Sequence, residues 1–413
     1  MFDIETAWDR PAHTGPESDH ILRIRIIPGA ANSAGMPLHM AIALDTSSSM
    51  QGEKLEKAKE SCKAVYGRLR PGDKLWLGTY SMQVNSVLDA AEISQFVKAD
   101  LDKNLSDITA KGVTRTDLAL RYLKQCLTPK DGTARVAALI TDGYPTNSEG
   151  SNLKDYTPLI SIGKEIGDEG GTLLTVGLGD AGNFNTGFLV SLCDQTRGGF
   201  LYAKTTNELE PLLESRLSKL QAIAVADARI EFKPLVNGVT VKALCRYSPE
   251  FSPMDAPEEG TSIRIGTLSG NDPTVLLAKV SIPQVPLGQR MGTQEILDIS
   301  LRYDDSSHQS LQTTVSVQYT NSYSESMQLN KEVNDARLMW EINTHMTDLA
   351  NINNPNQTKE ILDQAMAKAD KLSNKKITQE LKNMQDDLKK TGKRNDSNIT
   401  TTLTITRDTE NLK

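Results

Sequence analysis

The sequence predicts an α/β unit with a doubly wound, mostly parallel sheet, inserted into a β-sandwich and followed by an α-helical C-terminal region. Three observations predict it. Residues 37–222 alternate short apolar runs with helical stretches, the pattern of parallel strands joined by crossover helices. From 226 to 319 the helical period disappears, and β-branched runs separated by Pro, Gly, Asn and Asp take over, as in a sandwich. Beyond Asn330 the helical period returns.

The elements follow in order. Residues 1–20 read as an N-terminal arm. At 21–27, Leu22, Ile24 and Ile26 alternate with Arg23 and Arg25, which is a half-buried strand. Leu38–Leu44 is nearly all apolar, as a strand covered on both faces must be. A helix over Glu53–Leu69, the turn Arg70-Pro71-Gly72-Asp73 and a strand over Leu75–Tyr80 come next. Helices near Asp117–Leu127, Tyr156–Ile166, Phe188–Thr196 and Glu208–Ala222 alternate with strands at Val136–Thr141, Thr172–Leu178 and Gly199–Tyr202. The sandwich takes residues 225–325, and the strand at 21–27, with no place in the α/β order, joins it through 21–36. The α/β unit then has both its termini on one side. In the helical region, 330–392, Leu338, Ile342, His345 and Leu349 form one stripe, and Ile377, Leu381, Met384 and Leu388 another. These stripes hold few large residues, so the helices are expected to pack on the sandwich or on a partner. Residues 393–413 alternate Thr with Ile and Leu and read as a tail or an added strand.

Bulk properties narrow the function. A chain of 413 residues exceeds the roughly 250–300 at which a single core stops growing. A formal charge of -7 disfavours a phosphate-backbone surface, so no nucleic-acid partner is expected. Cys62, Cys126, Cys193 and Cys245 lie far apart without a CxxC pair and read as buried thiols in a reducing compartment. With no basic-then-apolar leader and no run of about 18 apolar residues, no membrane insertion and a cytoplasmic location are expected. The segment Gly67–Lys74 is a poor phosphate loop, because Asp73 stands where a lysine is needed and Pro71 removes an amide donor. His13, His20, His39, His308 and His345 are too dispersed to nominate a catalytic triad, and His345 reads as a packed core histidine.

The chemistry concentrates at one edge. The strand ending at Leu44 runs into Asp45-Thr46-Ser47-Ser48-Ser49, at the carboxyl edge where open α/β sheets place ligands. Gly112-Val113-Thr114-Arg115-Thr116 precedes a helix near the same edge, and Thr141-Asp142-Gly143 closes another buried strand. Ser and Asp are ordinary cap and turn residues, so the first run alone is a weak signal; the three segments together are specific. Thr116 and Asp117 are expected to cap the helix that follows, and Tyr144, Pro145 and the Tyr80-Ser81-Met82 loop to frame the surface.

Asp45, Ser47, Ser49, Thr114 and Asp142 resemble, position by position, the metal-ion-dependent adhesion site of von Willebrand factor A and integrin inserted domains. The resemblance covers about 37–222, in the intracellular prokaryotic type that combines this domain with a sandwich and C-terminal helices. It implies Ser47 and Ser49 as direct hydroxyl ligands, Thr114 as a mobile ligand, and Asp45 and Asp142 as the source of negative charge. Mg²⁺ suits such hard oxygen ligands, with Mn²⁺ or Ca²⁺ as alternatives. The resemblance further implies a non-enzymatic adaptor that captures an Asp or Glu of a partner protein through the ion, and work beside an AAA+ ATPase as its substrate-presenting subunit. A Mg²⁺-dependent hydrolase, or an assembly protein whose ion only fastens three loops, are the alternatives.

Overall fold

The computed structural model describes residues 2–29, 35–130, 132–258, 260–284, 291–303, 310–352, 354–372 and 374–408. At the start of the chain Phe2, Ile4 and Thr6 alternate with the acidic Asp3 and Glu5, ahead of Trp8. That period of two forms β1 (Phe2–Trp8), paired antiparallel with β3 (Ser18–Pro28); the two-residue β2 (Ala12–His13) lies between them in sequence. The expected N-terminal arm at 1–20 is therefore corrected: most of it is sheet, because burying Phe2 and Trp8 outweighs the charges on the opposite face.

The α/β unit begins with β4 (Leu38–Asp45), α1 (Glu53–Gly67), β5 (Lys74–Tyr80), β6 (Val84–Ala91) and α2 (Gln95–Ser106). It continues through α3 (Thr116–Cys126), β7 (Ala134–Thr141), α4 (Thr157–Asp168) and β8 (Thr172–Leu178). It ends with α5 (Thr186–Asp194), β9 (Phe200–Ala203) and α6 (Thr206–Gln221). The sheet order is β6-β5-β4-β7-β8-β9, parallel throughout except for β6. Every residue of β4 is buried, since Ala41 and Ala43 join the core that α3, α4 and α5 line while Met40, Ile42 and Leu44 join the core that α1, α2 and α6 line.

Seven strands follow: β10 (Ile223–Pro234), β11 (Thr240–Ser248), β12 (Ser252–Met254), β13 (Ser262–Ser269), β14 (Thr274–Ile282), β15 (Gly292–Tyr303) and β16 (Ser310–Tyr319). With β1, β2 and β3 they make two five-stranded sheets, β1-β3-β14-β11-β12 and β13-β10-β15-β16-β2. One apolar core joins them, with Leu22, Ile24 and Leu276 from the first sheet and Ile230, Ile299 and Val317 from the second.

The chain enters and leaves the α/β unit at one neck. The Met36 amide donates to the Ile223 carbonyl at 2.7 Å, and Arg70 donates to the carbonyls of Met36 (2.8 Å) and Gln221 (2.7 Å). Asp73 accepts from the Leu38 amide at 2.8 Å, so the Arg70–Asp73 turn is a structural clamp. A Cβ on Gly35 would lie 1.9 Å from the Gln221 carbonyl oxygen. Gly35→Ala is accordingly expected to destabilise the chain by about 1–3 kcal/mol, read by urea denaturation, because the obstructing atom is backbone.

A short α7 (Tyr323–Ser326) precedes α8 (Lys331–Asn351), α9 (Pro355–Leu372), α10 (Lys375–Thr391) and α11 (Asp396–Arg407). The helices were expected to pack on the sandwich or a partner, and here the structure differs. Met339, Ile342, Met346 and Leu349 of α8, Leu362 of α9, Leu381 of α10 and Leu403 of α11 share one continuous core with Phe188 and Tyr202 of the α/β unit. The bundle also meets the sandwich: Val333 and Ala336, in the first turns of α8, pack with Ile21, Cys245 and Leu277, and Arg407 of α11 lies over the Phe251 ring. Residues 396–407 are a helix rather than a tail or strand; Asn395 caps it by accepting from the Asn398 amide at 3.1 Å. Residues 409–413, His308 and part of the connection at 28–36 lie outside the described residues. Cys62, Cys193 and Cys245 are buried free thiols, Cys126 is half-buried, and His345 is half-buried at the bundle surface. Among the described residues no helix is long and apolar enough to cross a membrane.

Candidate metal centre

Parallel neighbours end at the same edge of a sheet, so the loops after β4 and β7 emerge side by side. Asp45 closes β4 and is fully buried. Its Oδ1 accepts the Ser47 amide at 2.8 Å, and its Oδ2 accepts the Thr141 hydroxyl at 2.8 Å and the Tyr80 hydroxyl at 3.5 Å. The Asp45 carboxylate thereby orders the turn that presents Ser47 and Ser49.

Ser47 Oγ and Ser49 Oγ are 3.0 Å apart, and Ser49 Oγ donates to Asp142 Oδ1 at 2.6 Å. Thr114 arrives on a third loop. That loop is stitched to the first by the Lys111 amide on the Thr46 carbonyl (2.8 Å) and the Ser48 amide on the Gly112 carbonyl (3.1 Å). It is stitched to the Asp142 loop by the Thr114 amide on Thr146 Oγ1 (3.0 Å) and the Thr146 amide on the Thr114 carbonyl (2.9 Å). A Cβ on Gly143 would lie 3.3 Å from Thr114 Oγ1 and 3.6 Å from Ser49 Oγ, so both hydroxyls flank that glycine. Asp142, Ser47 and Thr114 are buried and Ser49 is exposed, which places the opening of the site at Ser49.

The donor set fits a hard divalent ion. Two buried carboxylates and three hydroxyls are all oxygen donors, and the 3.0 Å between Ser47 Oγ and Ser49 Oγ matches the edge of an octahedron with metal–oxygen bonds of about 2.1 Å. Among the described residues no group of three or more His, Cys, Asp or Glu is placed to hold a metal ion. Burial pushes the Asp45 carboxyl up to about 6, and the Asp142 charge adds to this, against the hydrogen bonds from Ser47 and Thr141. Tyr80 is raised for the same two reasons, burial first and the Asp45 charge second. A cation between the carboxylates is the natural relief of that strain.

Three further residues shape this site: the sequence places Thr141 and Tyr80 at this edge without a role, and it does not single out Lys54. Thr141 and Tyr80 hold Asp45, and Lys54 Nζ donates to Asp142 Oδ2 at 2.5 Å. Thr141 sits next to Asp142 and its inward direction follows from strand alternation, but the Lys54 contact spans 88 residues and leaves no local signal. Thr116 and Asp117 do not cap α3: its cap is Arg115 without a side-chain bond, and Asp117 binds the Arg115 guanidinium at 2.7 and 2.8 Å. Met82, 59% exposed, lies over Gly112, where a Cβ would be 3.0 Å from its Cγ. Thr141→Val, which removes a donor from a buried carboxylate, is expected to lower the stability of the metal-free protein by about 1–3 kcal/mol in a denaturation series.

The family model of the von Willebrand factor type A domain matches residues 39–214. These residues are a VWA domain. An uncharacterized protein of Synechocystis sp. is 24% identical over 296 residues, which cover 70% of this chain and 67% of that protein. The uncharacterized protein YfbK of Escherichia coli is 28% identical over 225 residues, 53% of this chain but only 38% of its own length. The VWA protein structure from Catenulispora acidiphila is 15% identical with a TM-score of 0.78, covering 98% of this chain and 96% of that one, a likeness of fold across all three parts. A VWA domain suggests a role of the protein-interaction or adhesion type, and neither relative carries a named enzyme activity.

Proposed function

We propose that the chain is a protein-binding adaptor in which Asp45, Ser47, Ser49, Thr114 and Asp142 hold a divalent cation, Mg²⁺ in preference to Mn²⁺ or Ca²⁺. When bound, the cation supplies a positive centre that takes up an Asp or Glu carboxylate of a partner protein. The observation that carries this reading is the hydroxyl chain from Ser47 through Ser49 to Asp142, lying at the one exposed corner of an otherwise buried carboxylate pair. Neutral hydroxyl ligands leave the charge of a cation less compensated than carboxylate ligands do, which favours an anionic oxygen from outside. Asp45, with both oxygens engaged by Ser47 and Thr141, orders the turn, and Thr114 tethers the third loop. On the family resemblance alone, the machine that receives the captured partner is an AAA+ ATPase.

Affinity capture from native extract tests it, with the full chain in Mg²⁺, in EDTA, and as Asp45→Ala. A partner is expected to be retained only by the unaltered chain in Mg²⁺. Recovery of the same partner in all three samples would remove the metal from the mechanism.

A further inference from the structure

Lys54 is the second residue of α1. A cation in the first turn of a helix opposes the helix dipole, so the helix gives no reason for a lysine there. Its side chain, 28% exposed, instead turns back to the sheet edge, where Nζ meets Asp142 Oδ2 at 2.5 Å while Ser49 Oγ holds Oδ1. The stem runs past Gly179, which follows β8 with a φ of +86°. A Cβ at Gly179 would lie 3.3 Å from Lys54 Cε and 3.5 Å from Nζ, so the missing side chain leaves the corridor through which the ammonium reaches the site. The helix start is itself pinned, as the neighbouring Glu53 accepts the Thr206 hydroxyl at 3.0 Å.

Asp142 is thus claimed by two cations. An ammonium on one carboxylate oxygen and a divalent ion drawing on the same carboxylate repel each other at a few ångströms. The lysine stem has four rotatable carbons and a head that water solvates well, so its withdrawal needs no backbone change. We propose that Lys54 is a tethered counter-ion of Asp142 that a divalent cation must displace to enter the site. The inference rests on the metal-binding reading above and extends it. With the ammonium in place about nine-tenths of the time, the apparent metal affinity is about tenfold weaker than the intrinsic one. Once displaced, the ammonium stands in solvent at the rim beside Ser49, where it adds to the attraction for an acidic partner.

Two measurements on the full chain test it. Mn²⁺ titration, followed by the spectrum of the free ion, should show Lys54→Gln binding at least about tenfold more tightly than the unaltered protein, about 1.4 kcal/mol. Removing any nearby positive charge tightens cation binding to some degree, so the second readout follows the displacement itself. The unaltered protein is acylated at its lysines in EDTA and in saturating Mn²⁺, and labelling of Lys54 is compared by mass spectrometry with that of Lys63, whose side chain is 39% exposed on the same helix. Labelling of Lys54 should rise several-fold with Mn²⁺ while that of Lys63 stays constant. Mn²⁺ binding without a rise at Lys54, or without tighter binding by Lys54→Gln, overturns this inference and leaves the metal site standing. Mn²⁺ binding by neither protein overturns both.

Discussion

Asp142→Ala is expected to abolish the Mg²⁺-dependent rise in thermal stability. In the unaltered protein, Mg²⁺ at about 100 times its dissociation constant should stabilise the fold by about 2.7 kcal/mol, and in the variant by close to nothing. The reason is the position of this carboxylate: it is fully buried, receives Ser49 at 2.6 Å and Lys54 at 2.5 Å, and with Asp45 brings the negative charge to the hydroxyl cluster. Ser49→Ala removes one neutral donor and leaves both charges, so its loss of affinity should be the smaller, on the order of tenfold. Scanning calorimetry with and without Mg²⁺ separates these outcomes. A full Mg²⁺ shift retained in Asp142→Ala would mean that the ion binds elsewhere.

Removing the C-terminal helices has the second large effect. A chain ending at Asn330 is expected to be insoluble or to lose cooperative melting, because Met339, Ile342, Met346 and Leu349 cover the apolar face that α5 and β9 present. Each such side chain contributes about 1.5–3 kcal/mol through burial, so the uncovered face loses more than a marginally stable domain can spare. A polar contact across this junction points the same way: Thr186 of α5 and Thr400 of α11 share a buried hydrogen bond of 2.7 Å. Solubility and near-ultraviolet dichroism of the truncated chain measure the effect. A soluble, cooperatively melting fragment would show that the bundle is dispensable to the VWA domain.

Where the sequence is legible, a period or a spacing carries the information. The nearly all-apolar run Leu38–Leu44 announces a strand buried on both faces, and the residues just after it fall at the ligand edge by topology alone. Asp142 is legible for the same reason, as the residue that follows a second strand buried from Val136 to Thr141. The rest is hidden by tertiary context. Strand β6, Val-Asn-Ser-Val-Leu-Asp-Ala-Ala, has weak alternation because it is an antiparallel edge with one polar face, and neither it nor α2 is announced by periodicity. Thr-rich α11 has the propensity of a strand, yet Ile399 and Leu403 stand one helical turn apart and bury together, while the hydroxyls of Thr400 and Thr406 find side-chain partners in α5 and α8; packing overrides the weak local preference. Likewise the sparse stripes of α8 and α10 suggest exposed docking faces only while the size of the opposing apolar surface is unknown. Lys54 is invisible for a simpler reason: a salt bridge between positions 88 residues apart has no local signature.

The most direct test of the central claim is anomalous diffraction from crystals grown with Mn²⁺. The account predicts one strong peak about 2.1–2.3 Å from the hydroxyls of Ser47 and Ser49, within the reach of Asp142 and Thr114 and open to solvent on the Ser49 side. Ordered density for these side chains with no anomalous peak among them, at Mn²⁺ concentrations that shift the melting temperature, would contradict it.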